Sequence, residues 1–491
     1  MTHDETLRRL FALKNHGSKF GVERMALLAA ALGHPERAFP SVHIAGSNGK
    51  GSTAAMLEQI FRDAGLRTGL YTSPHLVRLG ERAQVNREAL SDAAAAGWLA
   101  EITPVAERLA AANADDAPSF FEFMTALAFL EFRRRRVDVA VVETGLGGRL
   151  DATNILAPAV SVITSISVEH AEYLGGTVAE IAAEKGGIIK ARTPVVLGVV
   201  PPEAERVLRE IARDRAAPVV SVAEHFGAPE NFPQTNLAGA HQRANAAAAV
   251  LAASLFFRAT GGAGAEDVAG AGAGVPAAFA ASLMRVNWPA RWQEFALAGG
   301  GRLIVDAAHN AECAGAVEPL VARIARDSGA PPVVVTGVLG AERARPLLAM
   351  LARHAREIHL VRPAQERACD FADLEACLPA GYTGSVVRDD LACLFPRAGE
   401  CALAPAGNGS IGDAGDATTG AAAASAPTIL VIGSVYLAGE VLARFQTGAP
   451  SVEGALQDAL PALPAAPVAP AASAPQKTLD APARRSQPLS P

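Results

Sequence analysis

The chain has 491 residues, half of them hydrophobic, and a formal net charge of −6 with a pI of about 6.0. Its length exceeds one ordinary hydrophobic core and predicts two domains. The acidic balance excludes the global basic field of proteins that bind nucleic acid or membrane surfaces. Residues 1–10 lack the apolar stretch of a secretory signal, no apolar run approaches a membrane span, and the five cysteines lack Cys-x-x-Cys spacing. These features predict a cytoplasmic protein.

Apolar, strand-like runs alternate with helical stretches along the chain. In the first 290 residues these runs lie at 41–45, 137–142, 160–166 and 194–200. The alternation predicts an α/β fold with a mostly parallel sheet and helices on both faces. It restarts further along, with runs at residues 302–305, 332–335, 358–361 and 428–432. The second series predicts a second, smaller α/β domain.

A hinge between the two domains is predicted at residues 287–291, because Pro289 disfavours helix at the residue before it. We divide the chain into a first domain of residues 1–290, a second domain of residues 291–447 and a disordered Pro/Ala-rich tail of residues 448–491. The segments of low complexity at residues 261–274 and 404–427 are predicted to be surface insertions, because such compositions need not pack.

The first strand-like run leads into a glycine-rich loop, Gly-Ser-Asn-Gly-Lys-Gly-Ser, at residues 46–52. Glycines let backbone N–H groups turn toward phosphate oxygens, a lysine brings charge to the transferring end, and a hydroxyl at the helix start can ligate Mg²⁺. The loop differs from the common P-loop, since Ile44 stands at the usual first glycine and Gly51 separates Lys50 from Ser52. A plain strand-to-helix turn is therefore the alternative interpretation.

Three polar segments follow strand-like runs, where parallel-sheet enzymes keep their chemistry. These segments lie at residues 71–75, 143–154 and 165–170. The hydroxyl of Ser73, the carboxylate of Glu143 and the imidazole of His170 can converge on Mg²⁺ beside a phosphate loop. Taken singly, Ser73 can begin a turn, Glu143 can cap a strand and His170 can be an oriented core or surface histidine. As a set with Lys50, they favour a metal and nucleotide site.

Five motifs in consistent order resemble the folylpolyglutamate synthase/dihydrofolate synthase family, a branch of the Mur-type ATP-dependent amide ligases. They lie at residues 46–52, 71–76, 143–154, 165–170 and 306–310, and the resemblance runs from about residue 14 to 445. It implies a Mur-type ATP-binding central domain followed by a smaller Rossmann-like glutamate-ligase domain. It also implies that ATP phosphorylates a pteroate or folate carboxylate, after which the amine of L-glutamate attacks the acyl phosphate and forms an amide.

The resemblance also implies roles for individual residues. Its ATP contacts are Asn48, Gly49, Lys50, Gly51, Ser52, Asn245, Arg291 and Asp306. Its metal ligands are Ser73, Glu143, His170 and a carbamylated Lys185, which together suggest two Mg²⁺ sites. Its pterin pocket uses Lys19, Phe20, Gly21, Val22, Phe120, Phe121, Glu122, Phe123, Leu150, Asp151 and Ala152. Its glutamate site has His309 and Ser434, and the residues implied in catalysis are Lys50, Lys185, Asp306 and His309.

Two of these implied roles have structural alternatives. An ammonium beside Mg²⁺ would be repelled, whereas the CO₂ adduct of Lys185 is an anionic, two-oxygen ligand that suits a hard cation. Lys185 can instead end a helix, near whose carboxyl terminus lysine is favourable. Ser434 can instead cap a helix, and it can do so in addition to contacting glutamate.

Three segments depart from the family's pattern. Residues 341–343 read Ala-Glu-Arg where Asp-Lys-Asp is usual, residues 20–22 read Phe-Gly-Val instead of Leu-Gly-Leu, and Ala311 replaces the usual proline. The first departure bears on details of the C-terminal domain, and the second bears on substrate choice. None of them removes a residue needed for phosphoryl transfer.

We predict a bifunctional, monomeric enzyme whose partners are ATP, L-glutamate, dihydropteroate and folates, with no nucleic acid or membrane partner. A monofunctional folylpolyglutamate synthase is the second hypothesis. A Mur-type cell-wall ligase is disfavoured because no obvious UDP-binding domain precedes Gly46. An inactive nucleotide-binding paralogue is disfavoured because the chain retains Ser73, Glu143, His170 and Asp306.

Overall fold

The computed structural model describes residues 21–261, 274–297, 300–404 and 427–450, together with residues 5, 8, 10 and 453. Most of the two predicted insertions and of the predicted tail lies outside the described residues, as do Lys19 and Phe20 of the predicted pterin pocket. The predictions made for these segments therefore stay predictions.

Among the described residues, the first sheet has eight strands. They are β1 Ser41–Ala45, β2 Thr68–Tyr71, β3 Ala83–Val85, β4 Glu88–Ala89, β5 Val139–Glu143, β6 Val160–Ile163, β7 Val195–Leu197 and β8 Val219–Ser221. Their spatial order is β4-β3-β2-β5-β1-β6-β7-β8. Only β3 pairs antiparallel, with β2 on one side and β4 on the other. The predicted mostly parallel sheet is confirmed.

Helices alternate with these strands along the described chain. They are α1 Glu23–Ala31, α2 Lys50–Asp63, α3 Asp92–Ala112, α4 Phe120–Arg135, α5 Ala171–Leu174, α6 Val178–Gly186, α7 Pro202–Asp214, α8 Val222–Phe226, α9 Ala240–Thr260 and α10 Ala277–Leu283. The arginine run 133–136 forms the carboxyl-terminal end of α4, and Arg136, the residue after the helix, has a left-handed backbone. No helix in the described ranges has the length and apolar character that crossing a membrane needs.

The helices cover both faces of the first sheet, as the side-chain alternation of β5 demonstrates. Val139 and Val141 belong to a buried cluster with α2 and α9, whereas Ala140 and Val142 belong to a cluster with α3 and α4. Successive residues of a strand point to opposite faces, so a fully apolar strand needs helices on both sides. This sandwich fixes β1, and with it the loop that follows β1.

The second sheet has six strands in the part of the chain that the structure describes. They are β9 Gln293–Ala296, β10 Arg302–Asp306, β11 Val333–Thr336, β12 Glu357–Leu360, β13 Ser385–Arg388 and β14 Thr428–Ile432, in the order β13-β12-β11-β14-β10-β9. Only β9 is antiparallel to its neighbour. The accompanying helices are α11 Ala311–Ser328, α12 Ala341–Leu351, α13 Phe371–Cys377, α14 Leu391–Leu394 and α15 Val435–Thr447. This second unit confirms the α/β architecture predicted after residue 300.

Two predicted strand-like runs are longer than the strands themselves. The run at 160–166 ends as a strand at Ile163, and the run at 194–200 forms only β7. Just past β6, the backbone N–H of Thr164 donates to the carbonyl oxygen of Ala45 at 2.9 Å, while its hydroxyl donates to the carbonyl oxygen of Asn48 at 2.6 Å. The segment that follows β6 thus holds the glycine-rich loop.

Candidate active site

The glycine-rich loop joins β1 to α2 and requires glycine at two of its positions. Gly46 has φ of 154° and Gly49 has φ of 83°, a region in which side chains with Cβ are strained. A Cβ on Gly46 would overlap the hydroxyl of Thr164, and one on Gly49 would overlap the amide oxygen of Asn245. These glycines let the loop lie directly against its neighbours.

Hydrogen bonds fasten this loop to the segment that follows β6. The backbone N–H of Ser47 donates to the carbonyl of Ser165 at 2.8 Å, and the Ser47 hydroxyl donates to the carbonyl of Ser167 at 3.0 Å. The backbone N–H of Asn48 donates to the Ser165 hydroxyl at 3.0 Å. The conformation of the loop is therefore set before any ligand binds, which reduces the ordering cost of binding a phosphate.

Lys50 begins α2 and folds its side chain back over the loop. Its Nζ donates to the carbonyl oxygens of Gly46 at 2.8 Å and Ser47 at 3.1 Å. Both acceptors are neutral, so no carboxylate neutralises the ammonium through these two bonds. The same side chain borders a cavity of about 210 Å³ between the two sheets. A phosphate in that cavity would face an oriented positive charge.

Glu143 is the last residue of β5, whereas Ser73 and His170 lie past the ends of β2 and β6. All three border the cavity that Lys50 borders. The backbone N–H of Ser73 lies 3.4 Å from Glu143 Oε2. Burial raises the pKa of Glu143 to about 7 and lowers that of His170 to about 4. His170 is consequently neutral at physiological pH, the form in which an imidazole binds a metal.

The side chains of these three residues can bind one hard cation, but they do not fill its coordination shell on their own. Within the described ranges, no three histidine, cysteine, aspartate or glutamate side chains cluster closely enough to hold a metal. An ion beside Glu143 would therefore need the Ser73 hydroxyl and oxygen atoms of a nucleotide as further ligands. A buried carboxylate with a raised pKa is the kind of group that such an ion stabilises in its ionised form.

Lys185 lies in the last turn of α6, as expected if it only ends a helix. It is not a solvated helix end, however. Its side chain is buried, and Nζ donates to Glu169 Oε1 at 2.8 Å and to the carbonyl oxygen of Gly46 at 3.0 Å. Burial lowers the pKa of Lys185 to about 8 despite the nearby carboxylate. The amine thus contacts the phosphate loop itself. Its partner Glu169 lies in the predicted polar segment 165–170 but was given no role there.

A larger cavity of about 560 Å³ lies on the other side of the glycine-rich loop. Its lining includes the predicted ATP contacts Asn48, Gly49, Ser52, Asn245, Arg291 and Asp306. Asp306 ends β10, and its carboxylate accepts the N–H groups of Trp292 and Ala308, each at 2.8 Å. The sheets thus bring residues more than 200 positions apart in sequence to one cavity of nucleotide size.

Asn48 contacts the second sheet's unit in a way that the sequence analysis did not predict. Its amide oxygen accepts from Asn310 Nδ2 at 3.1 Å and lies 3.1 Å from the sulfur of Cys313, while its Nδ2 donates to Glu312. These partners form the first turn of α11 and the residue before it. The phosphate loop and α11 are therefore joined directly.

The predicted glutamate residues lie on the second-sheet side of the 210 Å³ cavity. His309 donates from Nδ1 to the carbonyl oxygen of Ala307 at 2.9 Å, and burial lowers its pKa. Ser434 accepts the N–H of Leu437 at 3.0 Å and so caps α15. Arg343 and Arg367 border the same cavity. Arg343 belongs to segment 341–343, which departs from the family's pattern. That departure is the only hint in the sequence that Arg343 lies at the site.

The predicted pterin segments lie close together behind Gly145, a residue that borders the 210 Å³ cavity. The N–H of Gly21 is 3.4 Å from the carbonyl oxygen of Leu150, and the Phe121 ring packs on Gly145. None of the predicted pterin residues in the described chain lines the 560 or 210 Å³ cavity. Both oxygens of Asp151 accept bonds within its own loop, from Gly145, Leu146 and Thr153. The pterin assignment stays a prediction.

The members of the Phe120–Phe123 segment are not equivalent. Phe120 and Phe123 are both buried in the core, and Phe120 also has the guanidinium of Arg82 over its ring at 5.4 Å. The Glu122 carboxylate accepts the N–H of Ser119 at 2.7 Å and pairs with Arg24 at 3.2 Å. This carboxylate stabilises the start of α4 and fixes α4 against α1.

The raised pKa of Glu143 predicts a pH-dependent metal affinity. Because the folded-state pKa of about 7 exceeds the ordinary 4.5, the metal-free protein gains stability from this group at low pH and loses it as the pH rises through 7. A bound cation reverses this preference, so Mg²⁺ should bind about tenfold more tightly at pH 8 than at pH 6. His170 stays neutral throughout this window.

Thermal unfolding with and without Mg²⁺ measures this effect. The Mg²⁺-induced rise in Tm should be larger at pH 8 than at pH 6, and Glu143→Gln should abolish the difference. Glu131→Gln is the control, because that buried carboxylate accepts from Trp98 and belongs to the pairing of α3 with α4. An equal rise at both pH values in the unmodified protein would remove Glu143 from the metal site.

Comparisons with protein families, known sequences and solved structures find relatives of one kind. Residues 44–232 match the family described as Mur ligase middle domain. A dihydrofolate synthase/folylpolyglutamate synthase of Bacillus subtilis is 38% identical over 316 residues, 60% of this chain and 70% of that protein. A folylpolyglutamate synthase of Lacticaseibacillus casei is 30% identical over 396 residues, 77% of this chain and 89% of that protein. The crystal structure of Mycobacterium tuberculosis folylpolyglutamate synthase complexed with ADP and AMPPCP is similar with a TM-score of 0.72 and 29% identity, covering 90% and 98% of the two chains.

Proposed function

Because the chain belongs to the dihydrofolate synthase/folylpolyglutamate synthase family of Mur-type ATP-dependent ligases, we propose that it joins L-glutamate both to dihydropteroate and to the γ-carboxyl of folates. The observation that carries this proposal is the 210 Å³ cavity between the sheets. Its first-sheet wall has Lys50, Glu143 and His170, and its second-sheet wall has His309 and Ser434. Phosphoryl-transfer groups thus face candidate amino-acid groups across one cavity.

The reaction consists of two displacements. A carboxylate oxygen of the pterin-bearing substrate attacks the γ-phosphorus of ATP, and the bond from that phosphorus to the bridging oxygen breaks and releases ADP. The amine of L-glutamate, after loss of one proton, attacks the carbonyl carbon of the acyl phosphate. Phosphate leaves with the electron pair of the C–O bond, and the nitrogen loses a second proton as the amide forms. Each step brings anions together, so the site needs cations rather than a protein nucleophile.

Lys50 stabilises the transferring phosphoryl group from the phosphate loop. Its ammonium is oriented by two carbonyl oxygens, so it needs no rearrangement when charge develops on the phosphate. ATP lies in the 560 Å³ cavity, where Asn245, Arg291 and Asp306 border the glycine-rich loop. Arg291 also borders the 210 Å³ cavity, which supports a role at the phosphate end of the nucleotide.

Ser73, Glu143 and His170 hold Mg²⁺, which neutralises charge on the phosphate oxygens when it is bound. Carbamylation of Lys185 would provide a ligand for a second Mg²⁺. The adduct forms on an uncharged amine, and the pKa of about 8 makes that form accessible near neutral pH. In the uncarbamylated protein the ammonium is satisfied by Glu169 and Gly46, so the carbamate would have to replace both contacts.

His309 receives the incoming amino acid. Since Nδ1 donates to the carbonyl oxygen of Ala307, Nε2 is the acceptor of the ring and can take a hydrogen bond from the ammonium of glutamate. The lowered pKa keeps this nitrogen unprotonated. Ser434 stands at the start of α15 on the same wall, where the positive end of the helix favours a carboxylate.

The pterin ring occupies the region bordered by the Gly21–Leu150 contact and by Phe121, which packs on Gly145. An aromatic side chain and nearby carboxylates suit a planar ring with several N–H donors. Dihydropteroate and folates share this ring, so one pocket serves both activities. The Bacillus subtilis relative is named for both activities, which supports bifunctionality.

A monofunctional folylpolyglutamate synthase is the second candidate, because the Lacticaseibacillus casei relative is named for that activity alone. We also propose that the enzyme works as a cytoplasmic monomer. The cysteine usage of the sequence supports a reducing compartment. Sedimentation analysis tests the oligomeric state, and a second, heavier species at working concentration would contradict a monomer.

Oxygen-isotope transfer tests the acyl-phosphate route. Dihydropteroate labelled with ¹⁸O in its carboxylate should deliver one ¹⁸O atom to inorganic phosphate for each amide formed. The label moves because the attacking oxygen stays on the phosphorus when the C–O bond breaks. Unlabelled phosphate at full amide yield would contradict the mechanism.

Replacing His309 or Ser434 should impair the use of glutamate more than the use of ATP. We expect His309→Ala and Ser434→Ala to raise the KM for glutamate about tenfold or more, with the KM for ATP within twofold, since one charged hydrogen bond contributes about 1.5–3 kcal/mol. Steady-state kinetics with each substrate varied in turn measures both constants.

The helix cap that Ser434 provides needs its own control. Ser91→Ala removes the corresponding cap of α3, where the Ser91 hydroxyl accepts the N–H of Ala94 at 3.2 Å. Each variant should lose about 1 kcal/mol of stability, but only Ser434→Ala should raise the KM for glutamate. Equal effects on the KM values for glutamate and ATP would assign both residues to structure.

A further inference from the structure

A third cavity, of about 270 Å³, adjoins the proposed metal site and has two residues with no role in the reaction so far. It is bordered by Ser73, Glu143 and Arg291, which also border the 210 Å³ cavity. Its remaining wall includes Arg87 and Trp288. A ligand in this cavity would therefore lie next to the carboxylate that becomes phosphorylated.

Arg87 is held toward this cavity by a strained turn. It lies between β3 and β4 with φ of 68°, in the left-handed region where a residue other than glycine is strained. The side chain donates to the carbonyl oxygen of Asn287 at 2.6 Å, and its guanidinium carbon lies 5.2 Å from the centre of the Trp288 ring. Arg87 therefore connects the hairpin to the segment between the two sheets.

Trp288 in turn lies against the phosphate loop. A Cβ added to Gly51 would come within 3.0 Å of the Trp288 ring, so glycine at this position permits the close approach. The indole thus bridges Gly51 on one side and the Arg87 guanidinium on the other.

Both residues have a buried N–H group without an acceptor among the described residues, namely Arg87 Nη1 and Trp288 Nε1. Buried donors of this kind are rare, because nothing replaces the hydrogen bonds that they would make in water. Two adjacent unpaired donors, one of them charged, form a receptor for an anionic oxygen pair.

The charge of Arg87 is only partly balanced within the protein. Glu58 Oε2 lies 3.8 Å from Arg87 Nε and has no hydrogen-bond partner among the described residues. The other oxygen of that carboxylate, Oε1, accepts from Arg62 at 2.9 Å and from the Thr68 hydroxyl at 2.7 Å. Glu81 also borders the cavity, but its carboxylate accepts the backbone N–H groups of residues 76–78. A ligand carboxylate would supply the acceptor that Arg87 Nη1 lacks.

We propose that Arg87 and Trp288 bind the α-carboxylate of the terminal glutamyl residue of a folate substrate, and that they separate folates from dihydropteroate. The inference rests on the proposed function. A folate presents its γ-carboxyl for phosphorylation and has an α-carboxylate a few bonds away, whereas dihydropteroate has only the benzoate carboxylate. The subsite therefore adds affinity for folates and none for dihydropteroate.

Binding measurements with a matched pair of ligands test this subsite. Dihydropteroate and dihydrofolate differ only in the glutamyl residue, and both can be titrated into the full-length protein with Mg²⁺ and a non-hydrolysable ATP analogue. Trp288→Phe keeps the ring packed on Gly51 and removes the N–H, and Arg87→Gln removes the charge. We expect each variant to bind dihydrofolate about tenfold more weakly, the size of one charge-assisted hydrogen bond, and dihydropteroate within twofold.

Arg62→Gln is the matched control, because Arg62 pairs with the same Glu58 carboxylate but does not border the cavity. It should bind both ligands as the unmodified protein does. Equal weakening for both ligands in Trp288→Phe, or unchanged dihydrofolate binding in that variant, would overturn the proposal, and so would a selective loss in Arg62→Gln. Selective loss without any ligase activity in the unmodified protein would support the subsite and refute the proposed function.

Discussion

Replacing Lys50 with alanine is expected to lower kcat for glutamate ligation by about 10²- to 10³-fold, because one preorganised charge at a transferring phosphoryl group is lost. The fold should stay intact. Among the described residues, Lys50 Nζ bonds two loop carbonyl oxygens and no other group, and the loop has separate anchors at Ser47 and Asn48.

Single-turnover kinetics and thermal unfolding of Lys50→Ala measure these two effects separately. Arg326→Ala provides the control for a lost surface charge, since Arg326 is exposed in the last turn of α11. Near-normal ligation by Lys50→Ala would show that the glycine-rich loop is only a strand-to-helix turn. A large loss of stability would mean that Lys50 supports the loop rather than the reaction.

Replacing Lys185 with alanine is expected to leave ATP binding within a few fold but to remove most ligation, by about 10²-fold or more. If Lys185 is carbamylated, the variant lacks an anionic ligand of the second Mg²⁺ and loses the charge compensation that this metal supplies to the phosphates. The variant also leaves the Glu169 carboxylate without its 2.8 Å partner. A moderate loss of stability is therefore expected as well, because the pair is largely buried.

Two observations separate carbamylation from a structural ion pair. Crystals grown with bicarbonate and Mg²⁺ should show density beyond the Nζ atom of Lys185, directed at a metal ion. Glu169→Gln supplies the comparison, since it breaks the same ion pair but keeps the amine. It should retain more ligation than Lys185→Ala. Unmodified turnover by Lys185→Ala at limiting Mg²⁺ would show that this lysine only ends a helix.

The strands were predictable where apolar residues run without interruption. The runs at 41–45 and 428–432 coincide with β1 and β14, because each is buried on both faces and bounded by glycine or proline within a few residues. The run at 160–166 extends past β6 into residues Thr164 and Ser165, whose side-chain hydroxyls bond the phosphate loop. A local pattern carries no information about such a distant partner.

The candidate site was predictable to the extent that motifs follow strand ends. Lys50, Glu143, His170, His309 and Ser434 were all expected at the site, and they border one cavity. Parallel strands bring their carboxyl ends to one edge, which is the physical reason that this inference works.

The contacts that were missed join segments far apart in the chain. Asn48 bonds residues 310 and 312, and Arg87 bonds the carbonyl oxygen of Asn287. Neither pairing has a periodicity or spacing that the sequence analysis could have used, because each depends on how the two sheets' units pack. The left-handed φ of Arg87 could not be predicted either, because arginine has no preference for that region.

The masses of the reaction products test the central claim most directly. The purified full-length protein should be incubated with ATP, Mg²⁺ and L-glutamate, together with dihydropteroate, tetrahydrofolate or a muramyl peptidoglycan precursor. Mass spectrometry should find one glutamyl residue added to dihydropteroate and one or more added to tetrahydrofolate, each with one ADP released per amide, and no product from the muramyl compound. Amide formation with the muramyl compound, or no glutamylation of either pterin substrate, would contradict the account.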